Sequence, residues 1–317
     1  MSLDPEVKRL LDMAAAMNPP AWETIGPVEA RKAFLKSRAA AGGKRPDGVA
    51  SSDRAIPGPA GPIPVRLYRP TSAPADAKLP ALIYIHGGGW VIGDLDSHDV
   101  TAARLCAFAG VAVMSVDYRL APEHPFPAGF DDTVAALRWL ANNGADVGID
   151  GTRLAIGGDS AGANIAAAAA IQARDDGLSA LKFQLLTYPV CDAVTTTGSY
   201  ARFADGYGLT RANMTWFIDC YLPDKVDRVD WRAAPLRAAS LAGVCDAFVL
   251  TCGFDPLRDE GRAYAARLQA EGVRVDFCEF GGVNHGFFGS YALLHAARRG
   301  VATAALALKE ALVDRRG

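Results

Sequence analysis

The chain has 317 residues, half of them hydrophobic and 21% charged, with a formal net charge of −2 at pH 7. That length supports a sizeable buried core in one large α/β domain or two smaller ones, and the near-neutral balance, with Lys and Arg scattered, offers nucleic acid no basic surface. The longest apolar run, residues 165–171, is too short to span a bilayer, and residues 1–6 show no basic segment leading into an apolar one, so neither stable membrane insertion nor a secretory leader is expected. Six cysteines stand singly with no C-x-x-C pair, which fits a reducing, cytoplasmic setting.

The first fifty residues read as helical and irregular, with amphipathic pieces at 7–11 and 28–38, closed by Gly42-Gly43 and Pro46-Asp47-Gly48. Alternation at 64–68 then marks an outer strand, and further strands are expected at 82–85, 111–116, 154–157, 183–186, 248–251 and 273–277. Helical patterns at 100–108, 130–142, 161–174, 259–271 and about 291–312 lie between and after them. Strands and helices alternating at these lengths predict an α/β fold with a mostly parallel sheet covered on both faces. Residues 191–243 break the rhythm, and so long a gap between core strands usually marks an insertion with a task. With residues 1–50 this segment is expected to form a helical cap over the carboxyl edge of the sheet, leaving 51–190 and 244–317 as the core.

Gly158-Asp159-Ser160-Ala161-Gly162 joins an expected strand to an Ala-rich helix. A G-x-S-x-G sequence in that context is a nucleophile elbow: the sharp turn strains Ser160, and the flanking glycines relieve the crowding. The following helix aims free N–H groups at a developing oxyanion, with Ala161 as one donor. His86-Gly87-Gly88-Gly89-Trp90 follows the strand at 82–85, and its three glycines expose backbone N–H groups to the same task. The spacing matches neither G-x-G-x-x-G nor a phosphate-cradling loop with its Lys, and His86 is expected to hold the loop's shape.

Of the five histidines, His285 lies just after the last expected strand, on the side where open α/β sheets place their chemistry. His124 and His295 have ready structural explanations. His98 sits among Asp94, Asp96 and Asp99, a cluster better suited to a loop network than to a metal, because no second ligand group accompanies it. Asp255, presented by Pro256 after a strand, is the candidate acid. Asp259 and Glu260 read as charges in the first turn of the next helix. The chain order Ser, Asp, His is that of α/β-hydrolases, and such a triad works without metal or cofactor.

Four blocks resemble the hormone-sensitive-lipase-like carboxylesterases, the bacterial family IV esterases: residues 86–90, 117–128 and 158–164, and Asp255-Pro256-Leu257 with His285-Gly286-Phe287. The likeness runs from about residue 80 to 290. It implies Ser160, Asp255 and His285 as triad, and Gly88, Gly89 and Ala161 as oxyanion donors. It further implies a cofactor-free hydrolase of short- to medium-chain acyl esters, small molecules in every case. Members are often homodimers, so a homodimer is among its implications. Trp90 stands where Phe is commoner, which points to the pocket floor, and Ala163 stands where the family often has Gly. Phe203, Tyr207, Trp216 and Phe217 are the candidates for closing an apolar pocket above Ser160. An amidase or lactonase with the same triad is the nearest rival. A ligand receptor on this fold, as the plant gibberellin receptors illustrate, keeps the cavity but lacks the complete triad present here.

Overall fold

Two helices precede the sheet. In α1 (Pro5–Ala16) Asp4 is the N-cap, accepting from the Glu6 amide at 2.8 Å, and Pro5 fills a first-turn position that needs no donor. In α2 (Trp22–Gly42) Gly26 adopts φ 74°, detaching the first turn, and Pro27 restarts the helix. The remaining elements are β1 (Val49–Gly58), β2 (Gly61–Pro70), β3 (Leu79–Ile85), α3 (Asp99–Ala109), β4 (Ala112–Val116), α4 (Ala128–Asn143), β5 (Ile149–Asp159) and α5 (Ala161–Asp175). They continue with β6 (Leu181–Thr187), α6 (Gly198–Arg202), α7 (Arg211–Tyr221), β7 (Asp246–Phe254), α8 (Arg258–Ala270), β8 (Val275–Asn284) and α9 (His295–Lys309). This computed structural model describes residues 2–194 and 196–314.

The eight strands form one sheet in the order β1-β2-β4-β3-β5-β6-β7-β8. β1 pairs antiparallel with β2 and β2 with β4, whereas β3 to β8 run parallel. The sheet divides two apolar cores. One contains Ile83, Ile85, Ile156 and the alanines of α5; the other contains Leu82, Tyr84, Phe183 and the buried faces of α3 and α9. Successive β3 residues thus feed opposite cores, as the two-residue strand period requires. The alanine run of α5 is buried on every side, and its small side chains let the helix approach the sheet closely.

The expected α/β architecture is present, with three local differences. β1 was not expected: of Val49–Gly58 only Ile56 is buried, so the strand carries no apolar alternation and is held by its ladder to β2. β8 continues past residue 277 through Gly281 and Gly282 to Asn284. α9 starts at His295 instead of about residue 291. Among the described residues of 191–243 there is no strand, and no described helix is long and apolar enough to cross a membrane.

Because Ile83 is fully buried at the centre of the sheet, Ile83→Ala should destabilise the fold by about 2–5 kcal/mol. A urea melt should show a lower midpoint at unchanged slope.

Candidate active site

At the end of β5, Ser160 is forced to φ 56° and ψ −120°, a region that non-glycine residues seldom occupy. The turn lies hard against β3. A Cβ on either Gly158 or Gly162 would overlap the carbonyl oxygen of Ile85, so both positions exclude any larger residue. Ser160 N donates to Thr187 O at 2.9 Å, which ties the strained residue to β6. The glycine loop leaves β3 alongside, with Gly88 at φ 125° and Gly89 at φ 57°, while Ala161 opens α5.

Three loops bring together the residues singled out above. Asp255 follows β7 fully buried, and its Oδ1 accepts from the Leu257 amide at 2.9 Å. His285 follows β8, with Nδ1 2.8 Å from Asp255 Oδ2 and Nε2 2.9 Å from Ser160 Oγ. A carboxylate only accepts, so Nδ1 carries the proton and Nε2 is left to accept from the serine hydroxyl. Tyr188 packs its ring 4.6 Å from that of His285.

Beneath the elbow lies a network of buried charge. Asp159 Oδ1 accepts from Tyr84 Oη at 2.8 Å and from the Gly87 amide at 3.0 Å, with His98 Nε2 at 3.3 Å. Burial opposes the Asp159 charge, yet His98, then Arg38 and the Tyr84 hydroxyl hold its carboxyl below the usual carboxylate range. His86 stacks between His98 and Tyr118, and its Nδ1 lies 2.9 Å from Gly87 O. Burial, reinforced by His98, lowers its imidazole to about 4, so it stays neutral beside the glycine loop. The aspartates near His98 form a loop network: Ser97 N donates to Asp94 Oδ1 at 2.7 Å, and Asp99 meets Tyr68, Arg66 and Arg45. Asp96 pairs with Arg66 at 2.8 Å. Among the described residues no group of three or more His, Cys, Asp or Glu is arranged to hold a metal ion.

A cavity of about 400 Å³ opens onto Ser160 and His285, with Gly88 and Gly89 in its wall. Its apolar lining comes from Trp22 and Phe34 on α2 and from Met214 and Phe217 on α7, and its polar lining includes Arg38 and Ser290. The Phe217 ring sits where a Cβ on Gly89 would be, and the Trp22 ring meets it edge-on at 5.7 Å. Of the five aromatic candidates only Phe217 lines this cavity. Trp90 is core: it stacks on Tyr221 at 4.5 Å, and its Nε1 donates to Asn164 Oδ1 at 3.3 Å. Phe203 and Tyr207 pack on Phe254, and Trp216 packs on Phe217. A cap contribution from residues 1–50 was expected, but Trp22 and Phe34 were not named, since Trp22 precedes the helical break at Gly26 and no motif marks either ring.

Asp259 and Glu260 do lie in the first turn of α8, but Glu260 is not an exposed charge there. It is buried, and its Oε1 accepts from the Cys191 amide at 2.8 Å. Asp259 accepts from the Ser199 amide at 2.8 Å and pairs with Arg258.

A family model described as α/β-hydrolase fold matches residues 82–289. Carboxylic ester hydrolase LipN of Mycobacterium tuberculosis is 44% identical over 248 residues, covering 76% of this chain and 65% of that protein. Ethyl acetate hydrolase of Pseudomonas putida is 36% identical over 318 residues, 98% of this chain and all of that protein. Among solved structures, an α/β hydrolase from the metagenome of Lake Arreo, Spain, superposes with a TM-score of 0.93 at 42% identity over 97% of this chain and 98% of that one. A thermostable esterase from Pseudomonas putida ECU1011 gives 0.94 at 35% identity over 98% of both.

Burial pushes the Glu260 carboxyl well above the usual range, against the hydrogen bonds from the Cys191 and Asp192 amides. A raised folded value means that this group's contribution to stability is full below the ordinary glutamate range and is lost as pH rises toward the folded value. Glu260→Gln does not titrate, so from about pH 4 to about pH 8 its melting temperature should gain on the wild type by about 2–4 °C. A difference that stays constant across that range would mean the carboxyl is ionised in the fold.

Proposed function

The chain belongs to the α/β-hydrolase fold family, in its hormone-sensitive-lipase-like carboxylesterase branch, and on that premise we infer that it hydrolyses carboxylic esters through a covalent acyl-enzyme. The observation that carries this reading is the unbroken hydrogen-bonded chain from Asp255 through His285 to Ser160, ending at a strained serine in the wall of a cavity. Ser160 Oγ attacks the ester carbonyl while His285 Nε2 takes its proton, and Asp255 stabilises the imidazolium that results. The N–H groups of Gly88, Gly89 and Ala161 meet the tetrahedral oxyanion, each such donor being worth a factor of about 10²–10³ in rate. His285 then returns the proton to the leaving alcohol. In the second half it activates water against the acyl-enzyme, and Ser160 is regenerated. These side chains supply both nucleophile and proton transfer, so no step calls on a metal or cofactor.

Short to medium acyl chains are the preferred substrates, because the ring of Trp22 against Phe217 bounds the cavity on its apolar side. Residues 1–50 and 191–243 act together as a cap over a core of 51–190 and 244–317, a division supported by the meeting of α2 and α7 above the serine. A homodimer and a cytoplasmic location complete the reading. The first is supported by β8 at the open edge of the sheet with Phe277 exposed, the second by six cysteines that are all free thiols.

Ser160→Ala should abolish turnover of p-nitrophenyl acetate and leave the circular dichroism spectrum unchanged; a folded mutant with near wild-type kcat would refute the nucleophile. Asp255→Asn presents the wrong partner to His285, and its kcat should fall by up to ~10⁴. Asp259→Asn should lose far less, and the reverse ranking would move the acid to Asp259. Across p-nitrophenyl esters of increasing length kcat/KM should decline sharply for long chains, and Trp22→Ala should extend the tolerated length. An amide turned over faster than the matching ester would favour the amidase alternative.

A further inference from the structure

We propose that Arg38 is a positioning residue whose guanidinium, carried in from α2, braces the nucleophile elbow against the base loop and holds Ser160 and His285 at reacting distance. The proposal rests on the hydrolase reading above. Ser160 follows β5 and His285 follows β8, and β6 and β7 lie between those strands, so no ladder ties the two loops directly. Arg38 reaches both. Its Nη1 donates to Gly286 O at 3.3 Å, one residue past the base, and its Nη2 lies 3.5 Å from Asp159 Oδ2, one residue before the nucleophile.

The surroundings are built for this side chain. Arg38 is 11% exposed and Asp159 4% exposed, so their charges face each other with little water between. The Phe34 ring lies 5.0 Å beneath the guanidinium. Glycine at residue 289 leaves room for the guanidinium, since a Cβ there would overlap Arg38 Nη1 and push it aside. Arg38 Nε is buried with no partner among the described residues, while the Nη atoms are held to the two loops. Arg31, seven residues earlier and so on the same face of α2, docks the helix elsewhere. It donates to Val91 O at 2.8 Å and to Ala121 O at 3.0 Å, and pairs with Glu123 at 2.6 Å. Arg31 therefore holds the helix without touching elbow or base loop, and Arg38 touches both.

The test compares Arg38→Met, Arg38→Lys, Gly289→Ala, Arg31→Met and the double variant Arg38→Met/Gly289→Ala. It reads kcat and KM for p-nitrophenyl acetate, and the second-order rate at which an activated p-nitrophenyl phosphonate modifies Ser160. Arg38→Met should lower kcat and the phosphonylation rate together by about 10²-fold, the scale of a 1 Å misplacement, with a smaller change in KM. Arg38→Lys should recover part of both rates. Gly289→Ala should reproduce the loss in the wild-type background and add little once Arg38 is Met, since the two substitutions act through one group. Arg31→Met should lower the melting temperature yet keep most of kcat.

A folded Arg38→Met enzyme with wild-type kcat and a changed KM or melting temperature would reduce Arg38 to a docking peg and overturn the proposal. An equal kcat loss in Arg31→Met would do the same. If Arg38→Met does not fold, Arg38→Lys and Gly289→Ala decide the question by the same rates. If the wild type turns over no ester, the hydrolase reading fails, and the phosphonylation rates still report whether Arg38 controls Ser160.

Discussion

The carbonyl oxygen of Ile85 occupies the space that a side chain at 158 or 162 would need, and most of the reaction centre follows from that contact. The β3–β5 ladder runs up to this point, with Ile85 beside Gly158. With the strands paired to their ends, the loop leaving β3 and the turn leaving β5 run side by side. Gly88 and Gly89 consequently share a cavity wall with Ser160. Asp159 exploits the same closeness, reaching across to the Gly87 amide. The strain at Ser160 is affordable only because the strands on either side are buried and fully paired.

The imidazole of His86 is held neutral by burial against the glycine loop, while the buried charge beside that loop is Asp159, which accepts from the Gly87 amide and is answered by His98, Arg38 and Tyr84. With its charge matched in this way, Asp159 holds the Gly87 end of the loop in place.

How much of this was legible in the sequence followed from how local each signal is. The elbow, the glycine loop and the acid and base loops each sit within a few residues of a strand end, where chain geometry leaves little freedom, so pattern and the family resemblance together singled out Ser160, Asp255 and His285, which the fold brings into hydrogen-bond contact. The pocket lining could not. Trp90, Phe203, Tyr207 and Trp216 are aromatic and near the right segments, but which face of a turn or short helix they occupy depends on tertiary packing, and none of the four lines the cavity: Trp90 stacks on Tyr221, Phe203 and Tyr207 pack on Phe254, and Trp216 packs on Phe217. Trp22 and Phe34 line the cavity from a helix more than a hundred residues away in sequence, beyond any periodicity signal. β1 went unread for the opposite reason, since a strand with one buried residue has no pattern to read. Glu260 looked like an ordinary helix-start charge because burial leaves no mark on a single residue type.

The position of α2 also bears on how the protein is made. Arg38 and Gly286 are 248 residues apart in the chain, so during synthesis their contact forms only once the loop after β8 has been made, whereas Arg31 can dock α2 on residues 91 and 121 much earlier. Synthesis at roughly 5–20 residues per second puts about ten seconds or more between the two docking contacts of α2. The contact with the loop after β8 is therefore among the last long-range contacts of the fold to form.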